Sequence, residues 1–133
     1  MTFDEYKYLV GEVMYFYQQV SDDLVLLYRS FDKTMDDKEL KHMTPSDVLD
    51  LLEKVDGKSK KPSITKAGYS LMRWVVTNAE DFLREAFRKF YFIPMFQNSE
   101  EYREEEKKLL DLHRKSFKVW NKLERMRGDD FDD

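Results

Sequence analysis

Apolar residues recur in steps of three and four along most of the chain. Tyr6, Val10, Val13, Tyr17, Val20, Leu24, Leu27 and Phe31 form one stripe, which predicts a helix from about Phe3 to Ser30. Leu9 and Phe16 widen that stripe, so the helix should touch two neighbours. At about 1.5 Å per residue it would be roughly 40 Å long. The next stretch, "DKTMDDKELKH", is polar and keeps no period; it predicts a loop with at most one short helical turn. "MTPSDVLDLLEKVDG" then carries a compact helix signature: Thr44 as N-cap, Pro45 at the first helical position and Asp47 three residues after the cap. Val48, Leu51, Leu52 and Val55 give its buried face, and Gly57 is expected to supply a left-handed stop.

A third helix follows the basic loop "KSKKPS", capped by Ser63 or Thr65. Its stripe is Tyr69, Met72, Val76, Ala79, Leu83, Ala86 and Phe90, with Leu71, Val75 and Phe82 alongside. Pro94 should end it, because a proline disfavours helical geometry in the residue before it. Asn98 caps a fourth helix, with Glu101 in the capping-box position and Gly128 at the end. Tyr102, Leu109, Leu112, Val119, Leu123 and Met126 face inward on it. Glu100, Glu101, Glu104, Glu105 and Glu106 open this helix, while Lys115, Lys118, Lys122, Arg125 and Arg127 close it, and both ends suit the helix dipole. No segment has the period of a strand and none repeats. The fold class is therefore all-α: an up-and-down bundle of three long helices and one shorter helix. One domain spans residues 1–128, and the acidic tail at 129–133 is expected to be disordered.

Composition narrows the function classes. The 133 residues carry 38% charged and 41% hydrophobic residues, a balance typical of soluble helical domains. Aromatics at 15% argue against disorder. A net charge of −4 gives no reason to expect general nucleic-acid affinity. The absence of cysteine removes disulfides, thiolate metal sites and cysteine nucleophiles together. No apolar run approaches the roughly 18 residues of a membrane span, and "MTFDEYKYL" lacks the features of a signal peptide. These features predict a cytoplasmic protein.

Few residue clusters suggest chemistry. His42 lies in a polar segment and His113 on the fourth helix with no second histidine at helical spacing, so no metal site is expected. The acidic run from Glu100 to Glu106 reads as a solvated, dipole-complementing face. The aromatic stripe reads as core, because a base-stacking platform needs exposed aromatics set among basic residues. The best anion-binding candidate is the loop holding Lys58, Lys60 and Lys61, flanked by Lys54 and Lys66 near the start of the third helix. "NAEDFLREAF" carries four charges, Glu80, Asp81, Arg84 and Glu85, in six residues, and Glu80 and Arg84 have the acid-first i,i+4 spacing of a surface ion pair.

Several blocks together resemble a known group. "LVGEVMYFYQQVSDDLVLLY", "MTPSDVLDLLEKVDGKSKKPSIT", "FLREAFRKFYFI" and "NSEEYREEEKKLLDLHRKSFKVWNKLERMR" are similar to consecutive segments of small bacterial HEPN-like helical proteins, over about residues 5–127. HEPN ribonucleases carry an Arg, often followed by Asn, with a His four to six residues beyond the Arg; the pair acts on an RNA phosphodiester across a homodimer cleft. The resemblance puts that motif on "AEDFLR", with Ala79 at the Arg position, Glu80 at the Asn position and Arg84 at the His position. Ala79 has no charge for a phosphate, Arg84 is a poor general acid or base, and Glu80 and Asp81 would repel a phosphate backbone.

The resulting expectation is a non-catalytic, homodimeric helical protein that binds a macromolecular partner and uses no cofactor. The resemblance adds a bacterial defence, toxin–antitoxin or mobile-element setting. Ala79, Glu80, Asp81 and Arg84 would form the interface, with Glu80 of one chain meeting Arg84 of the other across a two-fold axis. The alternative is an altered RNA-processing or nucleotide-binding enzyme using Arg84 with Lys58, Lys60 or Lys61. A third reading, an inhibitor whose acidic surface mimics nucleic acid, fits the modest net charge least well.

Overall fold

Short polar side chains mark where the helices begin. In a computed structural model, Thr2 caps α1 (Phe3–Phe31) in a reciprocal box with Glu5, and Asp36 caps α2 (Asp37–His42). Thr44 and Asp47 form the expected box on α3 (Pro45–Asp56). Thr65, rather than Ser63, caps α4 (Lys66–Phe96): its hydroxyl accepts from the Gly68 N–H at 3.0 Å. The last helix is α5 (Glu100–Phe131). The structure describes the backbone of residues 1–58, 64–96 and 100–131, and their side chains except at 37, 86–96 and 127–131. Ser63 and Asn98, both read as caps, lie outside the described residues.

The described residues are all helical apart from the connections, with three long helices of 29, 31 and 32 residues, one of 12 and one of 6. The short turn allowed between the first two predicted helices is α2, which buries Leu40. Three expected stops differ. The helix α4 runs past Pro94 to Phe96, since a proline this close to a helix end forfeits one bond and disfavours the preceding residue without barring it. The helix α5 runs past Gly128 to Phe131, so most of the stretch read as a disordered tail is helical. Glycine weakens a helix by about 1 kcal/mol relative to alanine but ends it only by turning left-handed. No described glycine has a positive φ, and Gly57 itself is right-handed at φ −65°.

The topology also departs from up-and-down. Ser46, Asp50 and Asp56 of α3 meet Glu80, Arg73 and Tyr69 of α4 in reverse order, so these two helices are antiparallel. Tyr17 of α1 also reaches Glu80, while the N-terminal half of α1 packs near Ala79 and Phe82. Hence α1 and α3 both run against α4 and parallel to each other. A direct α1–α3 turn would give antiparallel neighbours; the connection through α2 is long enough to return along the bundle. The helix α5 also parallels α1, with Tyr6 against Tyr102 and Phe16 against Trp120.

The core follows from this. At one end α1, α3, α4 and α5 enclose Leu24, Leu49, Leu52, Met72, Val76 and Leu123. At the other end α3 is absent, and α1, α4 and α5 close on Tyr6, Val10, Val13, Ala79 and Leu109. Among the described residues the predicted stripes are mostly buried, with Leu51, Val55, Leu83 and Met126 half-buried; the side chains of Ala86 and Phe90 lie outside the described residues. Tyr17 is half-buried and Phe31 exposed, whereas Leu49, Asp23, Asp56 and Ser116 are buried without being anticipated. Asp56 is fully buried and accepts from the Tyr69 hydroxyl at 2.6 Å and the Ile64 N–H at 3.1 Å, which ties the end of α3 to the start of α4. Burial raises the Tyr69 pKa, and its bond to Asp56 adds to the rise. Arg73 forks onto Asp50 and Glu53 and joins the same two helices higher up.

Candidate functional site

The charged segment of α4 separates into inward and outward residues. Ala79 is fully buried, so it cannot lie on an interface surface. Glu80 is half-buried and points across the bundle. Its carboxylate accepts from the Tyr17 hydroxyl at 3.1 Å and from Ser46 Oγ at 3.5 Å, linking α1, α3 and α4. Burial, then the charge and hydrogen bond of Glu80, push the Tyr17 hydroxyl up to about 12. Arg84 therefore pairs not with Glu80 but with Asp81, at 3.8 Å, with both side chains mostly in solvent. Of the four residues, Asp81 and Arg84 are presented outward.

Of the alternative enzyme site, Lys58 and Arg84 are far apart. Lys58 is exposed just beyond α3, and Asp56, two residues earlier, contacts Tyr69 near the start of α4. Arg84 lies fifteen residues further along α4 than Tyr69, about 22 Å away. Lys60 and Lys61 lie outside the described residues. His42 is exposed at the end of α2. His113 is half-buried, its Nε2 lies 3.2 Å from a Glu12 carboxylate oxygen, and its ring packs on Phe16. Among the described residues no group of three or more His, Cys, Asp or Glu side chains is placed to hold a metal ion. No helix among them is long and apolar enough to cross a membrane.

Two surface features emerge that sequence reading did not isolate. The first is the α4/α5 seam, which carries opposite charges at its two ends. A cleft of about 300 Å³ at one end is lined by Asp81, Glu85, Glu105 and Asp111, with Lys108 the one cation among the described residues that line it. A wider groove of about 770 Å³ at the other end is lined by Arg114, Lys118, Lys122 and Arg125 and, among the described residues, by no acid. The Lys122 ammonium lies 2.9 Å from the point where a Gly68 side chain would begin, against the first turn of α4. That turn is the positive end of a helix dipole, so like charges are brought together there. Because α5 continues to Phe131, Lys118 and Lys122 sit well before its last turn, where dipole compensation operates. Between the two ends the Lys115 ammonium rests over the Trp74 ring at 4.0 Å.

The second feature is an aromatic strip along the α1/α5 seam. Phe16 and Trp120 stack at 5.5 Å between centroids, and Tyr15 and Phe117 flank them edge-on. Tyr15 and Phe117 are about half in solvent; Tyr8 and Leu110, two turns earlier on the same helices, are also exposed. Of the aromatic stripe expected to be core, Tyr6, Phe16, Tyr69 and Phe82 are buried and Tyr17 and Trp120 half-buried, while the side chains of Phe87 and Phe90 lie outside the described residues; Phe117, not in that stripe, is exposed. Compared with known proteins, the chain matches no family model, no curated protein and no solved structure.

Proposed function

We propose that the chain is a non-catalytic helical interaction protein, a homodimer that holds a macromolecular partner. The observation that carries this reading is the α1/α5 strip. Tyr8, Tyr15 and Phe117 are 67%, 51% and 45% exposed. With roughly 150–250 Å² on each aromatic side chain, they leave about 300 Å² of ring surface open. Leu110, also 45% exposed, extends it. Patches of this size on soluble proteins commonly mark interaction sites, and aromatic residues are enriched at interface centres. Catalysis has weaker support. Arg84 pairs with Asp81 at 3.8 Å, and an acid beside it would repel a phosphate. The bacterial defence, toxin–antitoxin or mobile-element setting rests on the HEPN resemblance.

Two measurements test this. Photo-reactive residues placed at Tyr15 and Phe117 in the native host should give a discrete crosslinked product that the same residue at Lys54 does not. Incubation with mixed RNA, with and without divalent metal, should leave the RNA intact. Cleavage that Arg84→Ala abolishes would overturn the non-catalytic reading.

A further inference from the structure

We infer that the α4/α5 seam is the self-association surface, and that a second copy of the chain docks on it antiparallel, across a two-fold axis. The inference rests on the homodimer half of the proposed function and assigns it a face. The Trp74–Lys115 contact marks the middle of that face. On α4, Asp81 lies seven residues to one side of Trp74, and on α5 Lys122, which abuts Gly68, lies seven residues to the other side of Lys115. On α5, Glu105 and Arg125 each lie ten residues from Lys115. At about 1.5 Å per residue, opposite charges stand at nearly equal distances of roughly 10–15 Å on either side of one centre.

A two-fold axis crossing the seam there would turn each helix antiparallel to its mate. The acidic cleft of one copy would then cover the basic groove of the other, twice over. A self-complementary patch of this kind is what a closed two-fold dimer requires. It also provides a counter-charge for the cluster of Lys122, Arg125 and the first turn of α4, whose described lining includes no acid. A polyanion is the poorer occupant. It would be drawn to Lys118, Lys122 and Arg125 but repelled by Asp81, Glu85 and Glu105 on the same face. A second copy satisfies both ends. The pairing differs from a Glu80–Arg84 contact across the axis, since Glu80 is held by Tyr17.

Light scattering and sedimentation on the full chain and two charge-reversed variants test this. One variant is Asp81→Lys with Glu85→Lys; the other is Lys122→Glu with Arg125→Glu. The wild type should be a dimer at about 0.1 M salt. Its dissociation constant should rise at least about tenfold at about 1 M, where the screening length falls from about 10 Å to about 3 Å. Each variant alone should be monomeric, because both of its contacts become repulsive. Mixed one to one, the variants should form a heterodimer, because each contact again pairs opposite charges. That recovery also shows that both variants fold. A dimer indifferent to salt and to both reversals would overturn this surface while leaving the homodimer intact. A wild type monomeric at every concentration would overturn both. A monomer that binds an oligonucleotide through Lys122 and Arg125 would give the basic end another occupant and likewise overturn the inference.

Discussion

Replacing Glu80 by alanine separates a structural residue from an interface residue. In the structure the Glu80 carboxylate accepts from the Tyr17 hydroxyl at 3.1 Å and from Ser46 Oγ at 3.5 Å, so one side chain joins three helices. A hydrogen bond to a charged group stabilises by roughly 1.5–3 kcal/mol when well buried. The Tyr17 bond is half-buried and the Ser46 bond is at the limit of length, which places Glu80→Ala near 2 kcal/mol of destabilisation. For a chain of this size that corresponds to a fall in melting temperature of about 5–8 °C. Urea titration should show a lower midpoint with an unchanged slope, since the surface exposed on unfolding is the same. Tyr17→Phe should cost about 1 kcal/mol, and the double variant less than the sum, with about 1 kcal/mol of coupling between residues in contact.

The pH dependence gives an independent reading of the same pair. The Tyr17 pKa is raised in the folded state to about 12, against an ordinary 10. Its contribution is therefore complete below pH 10 and is lost as pH rises from 10 through 12, because the unfolded chain loses that proton first. Glu80→Ala removes two of the three causes of the rise and leaves burial. Its stability should then fall less steeply over the same range. If Glu80→Ala melts within about 1 °C of wild type, with the same alkaline slope, the three-helix link contributes little. Glu80 would then be free for an interface.

Other positions give sharp expectations. Asp56→Ala would leave the Tyr69 hydroxyl and the Ile64 N–H unpartnered in a fully buried place, and should cost about 3–4 kcal/mol by urea titration. Gly11→Ala and Gly57→Ala should have opposite signs. A Cβ at Gly11 meets nothing within 4 Å on an exposed helix face, so alanine there should stabilise by about 0.5–1 kcal/mol. At Gly57 it would come 3.0 Å from the Glu53 carbonyl oxygen, so alanine should destabilise by about 1 kcal/mol despite an ordinary φ. Phe117→Ser should cost about 1–2 kcal/mol, because the ring is 45% exposed and packs its remainder on Phe16 and Trp120, yet leave the chain folded and remove the crosslink formed from Tyr15.

How far the fold was legible depended on the range of the forces involved. Helix starts at Thr44 and Thr65 were readable, because a cap bonds a backbone group three residues away. Helix ends were less so. Pro94 and Gly128 each weaken a helix locally, but whether a helix continues depends on what surrounds it. Helix direction was hidden for the same reason. The period of a stripe says which side is buried, not which way the helix runs, and the α1–α3 connection was long enough for either direction. The burial of Asp56 was not legible, because its partners, Tyr69 and Ile64, lie across the following loop.

The candidate site was legible only as a density of charge. Within "NAEDFLREAF" the i,i+4 rule offers Arg84 to Glu80, and a worth of about 0.3–0.5 kcal/mol makes that a weak preference. The Tyr17 hydroxyl, 63 residues away in sequence, gives Glu80 a half-buried, charge-assisted bond, and this stronger interaction wins. Arg84 is left to Asp81 and solvent. The basic end of α5 shows the same effect in reverse. Read along one helix, Lys118, Lys122 and Arg125 complement a C-terminal dipole. Folded, they lie beside the N-terminus of α4, where the nearest helix end has the same sign as they do. A local rule satisfied in sequence becomes a local repulsion in three dimensions. That repulsion, set against the acidic cleft on the same face, is why the α4/α5 seam rather than Glu80 is the surface to test for a second copy.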